Sequence, residues 1–332
     1  MSAAAGRDLR LAIVGATGTV GARLVELIDE RRFPYAELKL FASADSSPQR
    51  IEVGERELPV DELRSAGELA SFDVVFLAIP EQSAAEIIKG ISTPAASSPL
   101  LIDLSGAARR ISRAPLVAPG LTPREAIRRL AAGGILAVPH PVAYALATLE
   151  KALDARTEFI AATAILGTSA GGRESITSLI TQSAELMNAK LNLGEGEIQL
   201  AFNVFLDPRE AAIAEEISAQ AASLLGYSPS TVLMVVQAPT LHGTALALSL
   251  KLDCDRVRRK LMEAPGLLLV EDQAPEFRGV VDAVGEDAIL VRALYRPPGV
   301  ALWCLFDSAR LAALPALWVA ENLRAEGGST LA

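Results

Sequence analysis

No other stretch restricts the fold as tightly as Gly15-Ala16-Thr17-Gly18-Thr19-Val20-Gly21. It follows the apolar run Leu9–Val14 and opens onto Val20, Leu24, Leu27 and Ile28 at helical spacing, so it reads as strand, tight turn, helix. The first glycine permits the turn, the second lets backbone approach a pyrophosphate, and the third lets helix and strand pack closely, with the helix N-terminus facing the anion. Gly15, Thr17, Gly18, Thr19, Val20 and Gly21 are therefore candidate cofactor-binding residues. The spacing is GxxGxxG rather than the stronger GxGxxG, so a glycine turn without a ligand is the alternative. About twenty residues on, where a Rossmann fold reads the ribose, stand Ser43 and Asp45. An acid there bonds a ribose diol and repels a 2′-phosphate, which favours NAD over NADP; a solvated loop aspartate is the alternative.

Strand runs recur at residues 38–42, 74–79 and 100–104, with a helical segment at 83–91, and this alternation implies a parallel sheet with right-handed crossovers. Residues 110–141 carry Pro115, Pro119, Pro123, Pro139 and Pro141 and read as a transition between domains. Beyond them come helices at 143–153 and 174–188, and strands at 159–166, 232–236, 245–252, 289–295 and 300–306. Their short connections favour an antiparallel or mixed sheet with helices on one face. The expected architecture is α/β plus α+β: a Rossmann domain over 1–138, completed by the helix in 309–332, and an α+β domain over 139–308.

A chain of 332 residues has room for about two domains, and 51% hydrophobic with 21% charged residues excludes disorder. Thirty-one basic against 40 acidic residues, a net charge of −9, argues against nucleic acid or an anionic membrane as partner. No apolar run is long enough to span a membrane and no secretory segment opens the chain, so a cytoplasmic protein is expected. With only Cys254, Cys304, His140 and His242 available, no metal site is expected, and both cysteines read as small buried hydrophobes.

Two further motifs bear on chemistry. Gly167-Thr168-Ser169-Ala170-Gly171 has the GxSxG pattern of a nucleophile elbow, and Asp207 and His242 follow in hydrolase order, which makes a serine hydrolase a remote reading. Arg109 lies just past the strand run ending in Asp103-Leu104, where open α/β sheets bind ligands, and suits a phosphate or carboxylate; a surface arginine is the alternative.

Gly15 to Gly21, Glu30-Arg31-Arg32-Phe33-Pro34, Ala42-Ser43, Ile102-Asp103-Leu104-Ser105, Ser169 to Arg173, Ala201-Phe202-Asn203, Pro239 to Gly243, and Leu302-Trp303 through Asp307 and Arg310 together resemble the aspartate-semialdehyde dehydrogenases, and more closely their Usg-type branch. The resemblance covers nearly the whole chain. It implies a Rossmann domain, a second domain for catalysis and dimer formation, a homodimer, and a loop in which Ser169, Gly171 and Gly172 touch the nicotinamide. Family enzymes reduce aspartyl phosphate with NADPH through a cysteine thioester, in amino-acid biosynthesis, with a histidine as acid/base. Against that pattern, residues 137–143 read Ala-Val-Pro-His-Pro-Val-Ala, so His140 or Pro141 holds the nucleophile's place. Gln237 replaces a substrate-binding arginine, Thr244 the histidine, Gln220 and Ser223 a glutamate and a lysine, and Ser308 an asparagine at the nicotinamide. Asp45 stands where an arginine often meets the 2′-phosphate. Arg109 is retained.

The leading expectation is a semialdehyde-dehydrogenase-like protein without the thiol mechanism, with NADP, NAD or neither as cofactor. The alternative is an NAD(P)-dependent oxidoreductase with altered chemistry, in which Arg109 and Gln237 bind a small acidic substrate and His140 or His242 handles the proton.

Overall fold

The computed structural model describes residues 7–43, 49–91, 98–132, 134–156, 159–194, 196–270, 279–296 and 298–325. The chain divides into two compact units, Met1–His140 with Ala312–Ala332, and Pro141–Leu311.

The first unit runs β1 (Leu9–Val14), α1 (Thr19–Glu30), β2 (Tyr35–Ala42), β3 (Gln49–Val53), β4 (Arg56–Glu62), β5 (Val74–Leu77), α2 (Glu81–Ile91), β6 (Leu100–Asp103), α3 (Ala107–Ser112), α4 (Ile127–Ala131) and β7 (Ile135–Ala137). Its sheet has the order β3-β4-β2-β1-β5-β6-β7, parallel throughout except for the β3–β4 hairpin. Every residue of β5 and β6 is buried, as helices on both faces of a parallel sheet require. Strand order reverses at β1, between β2 and β5, which creates the crevice at the strand C-termini where such sheets bind ligands. The last helix of the chain, α9 (Ser308–Ala325), counts with this unit from Ala312 onward. It buries Ala313, Ala316, Leu317, Val319 and Ala320, and Arg324 pairs with Asp8 and Glu321 with Arg31, both at 3.1 Å.

The proline-broken stretch belongs to the first unit as far as His140, and the boundary between the units falls at its end. Leu116 bridges Ala137 and the Val117 amide donates to the Ala137 carbonyl, so the stretch folds back along β7, the last strand of the first sheet. Prolines end helices and interrupt ladders, but they do not prevent a segment from docking by its remaining amides.

The second unit runs α5 (Pro141–Leu153), β8 (Ile160–Leu166), α6 (Gly172–Met187), α7 (Glu210–Leu225), β9 (Thr231–Gln237), β10 (Thr244–Leu250), α8 (Cys254–Glu263), β11 (Leu267–Leu269), β12 (Ile289–Arg296) and β13 (Gly299–Phe306). Its mixed sheet has the order β11-β12-β13-β10-β8-β9, with β8–β9 and β11–β12 parallel and the other pairs antiparallel. Alternation sorts the side chains. Ile160, Ala162, Ala164, Leu246, Leu248, Val300, Leu302 and Cys304 are buried on one face, where α7 packs on β9, α8 on β12, and α5 on both helices. On the opposite face a second small core forms around Ala245, Val270, Ala283, Leu290 and Leu305.

Candidate functional site

In the first unit the glycine turn joins β1 to α1. Gly15 has φ +93°, and its amide and that of Ala16 donate to the Phe41 carbonyl at 2.8 and 3.0 Å, which ties the turn to the end of β2. A Cβ on Gly15 would lie 2.2 Å from the Ala78 carbonyl oxygen, and one on Gly21 2.0 Å from the Gly15 oxygen. Both are therefore glycine for packing reasons. Gly18 is the N-cap of α1 and offers no side-chain cap. The turn is bare backbone leading into a helix start whose first-turn N–H groups lack intrahelical acceptors, and it fits a dinucleotide pyrophosphate. Ser43 is exposed at the end of β2, and Asp45 lies outside the described residues.

At the end of β6 the fully buried Asp103 shapes the next turn. One carboxylate oxygen accepts from the Ser105 amide (2.9 Å) and hydroxyl (2.6 Å), and the other from the Ala108 amide (2.8 Å). This starts α3, from which half-buried Arg109 donates to the Ala114 carbonyl at 3.0 Å. Arg109 thus stands at the sheet's ligand-binding edge with part of its guanidinium turned onto its own loop.

In the second unit, the candidate residues gather at one end of the sheet. Past β8, the amides of Gly167, Thr168 and Ser169 donate to the carbonyls of Gly243 (3.1 Å), Thr240 (2.7 Å) and Leu241 (3.0 Å). The loop carrying Ser169, Gly171 and Gly172 is thereby stitched to the loop carrying His242, and the Ala238 amide bonds the Leu166 carbonyl (2.9 Å) to bring in Gln237. Gly172 has φ +82°, which lets the chain turn directly into α6. The hydroxyls of Thr244 and Ser308 bond each other at 2.5 Å. Beside them buried Asp307 accepts from the amides of Gly285, Ala309 and Arg310, and so holds the start of α9. His140 is half-buried at the end of the first unit, one residue before α5.

The hydrolase triad is not assembled. Asp207 is held by the amide and guanidinium of Arg209, which keep its carboxyl below the usual carboxylate range. The Ser169 and His242 side chains make no hydrogen bond among the described residues, and Ser169 sits in an unstrained 3-10 turn rather than on a strained elbow. Cys304 is fully buried, and burial pushes its thiol far up. Among the described residues no group of three His, Cys, Asp or Glu is placed to hold a metal, and no helix is long and apolar enough to cross a membrane.

Comparisons with known proteins agree with this arrangement. Residues 10–130 match the family described as semialdehyde dehydrogenase, NAD binding domain. A USG-1 protein homolog of Pseudomonas aeruginosa is 35% identical over 96% of this chain and 98% of its own. The chain belongs to the aspartate-semialdehyde dehydrogenase family. An aspartate-semialdehyde dehydrogenase of Synechocystis is 29% identical with the same coverage. The solved structure of a probable aspartate-semialdehyde dehydrogenase from Pseudomonas aeruginosa superposes with a TM-score of 0.81 at 33% identity, covering 96% of this chain and 98% of that one. The first unit is accordingly a Rossmann-type NAD-binding domain of this family. Sequence reasoning missed Asp103 and Asp307 as organisers of the loops, although a strand-ending Asp two residues before a Ser or Ala is a turn and cap signal.

Proposed function

We propose that this member of the family binds a nicotinamide dinucleotide through Gly15, Thr17, Gly18, Thr19, Val20 and Gly21, with Ser43 at the ribose end, and lacks the thiol-based reductive dephosphorylation. One observation carries the second half. Thiol catalysis needs an accessible thiolate that attacks an acyl group and later leaves. Residues 137–143 contain no cysteine, and Cys304 is sealed on the helix-covered face of the sheet. Cys254 opens α8 beyond the Leu250 end of β10, about 20 Å from the loops at Thr244 by strand rise. Thr244 and Ser308, bonded to each other, supply no imidazole-like base. A bound dinucleotide would supply hydride chemistry.

Arg109 favours a second reading, an oxidoreductase for an acidic acyl phosphate or semialdehyde, because one half-buried guanidinium remains at the ligand edge. In that reading Gln237 helps to bind the substrate and His140 or His242 moves the proton.

The family resemblance also supports a homodimer, and apolar side chains on three adjacent elements of the second unit support it physically. Ile180 on α6, Phe202 and Val204 on the following strap, and Val232 and Met234 on β9 are all exposed. Gln182 ties α6 to the strap through the Leu200 amide, and Phe205 bridges Gln237 of β9.

Calorimetric titration with NAD and NADP, followed by incubation with aspartate semialdehyde, phosphate and cofactor, tests these readings. The expected result is micromolar binding of one cofactor and no reduced nicotinamide. Turnover that survives replacement of both cysteines would establish the second reading, turnover lost on that replacement would restore the thiol mechanism, and no binding at millimolar concentration would overturn the cofactor assignment.

A further inference from the structure

We propose that Glu150 is a proton-operated latch between α5 and the end of α7: as the neutral acid it stays sealed between the helices, and as the carboxylate it is drawn towards Arg156, loosening the last turn of α5. This does not depend on the cofactor reading.

Glu150 is 1% exposed, and neither carboxyl oxygen has a hydrogen-bond partner. It lies on α5 among buried Leu146, Leu149 and Leu153, and α7 packs against this helix with Ile217 and Ala221 buried. Gly226, at φ +75°, ends α7, and the next residue, Tyr227, turns its hydroxyl to Glu150 without the geometry of a full hydrogen bond. The Arg156 guanidinium lies 4.4 Å from the centroid of the Tyr227 ring.

An ion left unpaired in such a place is strongly disfavoured, so the group is expected to hold its proton above the ordinary glutamate range. The structure agrees in direction: burial raises the Glu150 pKa, and the Tyr227 hydroxyl opposes this. The other groups on the packed elements do not neutralise it. On α7, Glu215 and Glu216 are acidic, and the Gln220 amide donates to Glu216 at 3.2 Å. On α8, Arg256 is paired with Asp154 at 3.3 Å, and the helix buries Val257 and Leu261. Arg156 is exposed, stacked on the ring that faces Glu150, and six residues along the same chain. Lys151, the next residue of α5, is exposed and projects about 100° around the helix from Glu150, so Arg156 is a cation that a newly formed carboxylate can reach by unwinding the helix end. A folded pKa raised above the unfolded value gives stability that is complete below the unfolded pKa and lost as pH rises through the folded one.

Hydrogen exchange of the full chain, corrected for intrinsic rates, tests this in the peptide spanning residues 146–156. Protection in the wild type is expected to fall roughly five-fold as pH is raised from the ordinary glutamate range to the alkaline side of neutrality, with Glu150→Gln and Glu150→Met flat across the same span. Arg156→Ala should move the wild-type transition to higher pH, because the ionised state loses its counter-ion; a merely structural buried acid would not respond in this way. Equal pH slopes in wild type and Glu150→Gln would overturn the proposal. So would an unshifted Arg156→Ala transition, or failure of both neutral variants to fold, since neither removes anything the neutral acid supplies.

Discussion

Cys304 pairs in register with Leu246 and Val291 in the middle of the second sheet, and its thiol is both inaccessible and hard to ionise. A thiol-specific reagent should therefore label at most one cysteine of the native protein, and both once the fold is lost. In Cys254→Ser, labelling should wait for unfolding even as pH is raised, because burial holds the Cys304 pKa up. Rapid native labelling of that variant would put an active thiol back into the discussion. At this scale sequence reasoning works where the reason for a residue is steric. Gly15 and Gly21 are legible because no side chain fits their turn. Asp103 and Asp307 are harder, because a carboxylate that collects three amides or hydroxyls looks like any other loop aspartate until the turn closes around it. Asp45, the residue that would rank NAD against NADP, lies outside the described residues.

Among elements, the β1–turn–α1 unit separates two roles that one glycine pattern conflates. Gly21→Ala would put a Cβ 2.0 Å from the Gly15 carbonyl oxygen, so it should destabilise the first unit by about 3 kcal/mol and abolish dinucleotide binding with it. Gly18→Ala meets its nearest backbone atom at 3.2 Å and has an ordinary φ of −74°, so the fold should lose only about 1 kcal/mol. Its methyl would nonetheless occupy the approach to the pyrophosphate, and NAD or NADP affinity should drop about ten-fold or more. Urea unfolding alongside calorimetry separates the two; equal loss of stability and affinity in Gly18→Ala would mean that the turn is structural only. The buried parallel strands were legible because they are nearly unbroken apolar runs. The β3–β4 hairpin was not, because Arg50, Glu52, Arg56 and Glu57 give this edge of the sheet a polar sequence.

The organisation of the whole molecule, an α/β sheet followed by a mixed one, follows from the spacing of its strands and helices, but β9 carries information that one chain does not use. Its sequence, Thr-Val-Leu-Met-Val-Val-Gln, has no polar alternation and reads as a strand covered on both faces. The helices cover only one: Val235 is fully buried, whereas Val232 is 62% and Met234 45% exposed, beside exposed Ala161 of β8. The second copy proposed above would supply the missing cover. A two-fold contact matches the same patch on both partners, and a stable one buries about 800 Å² on each, which requires the neighbouring strap and α6 as well as the sheet. Light scattering on the wild type should give twice the chain mass at micromolar concentration. Val232→Glu with Met234→Lys should give a monomer that still binds dinucleotide, because both side chains lie on the exposed face of the second sheet and the glycine turn belongs to the first unit. A monomeric wild type, or a doubly charged variant that still pairs, would show that these side chains are not the ones a second chain covers.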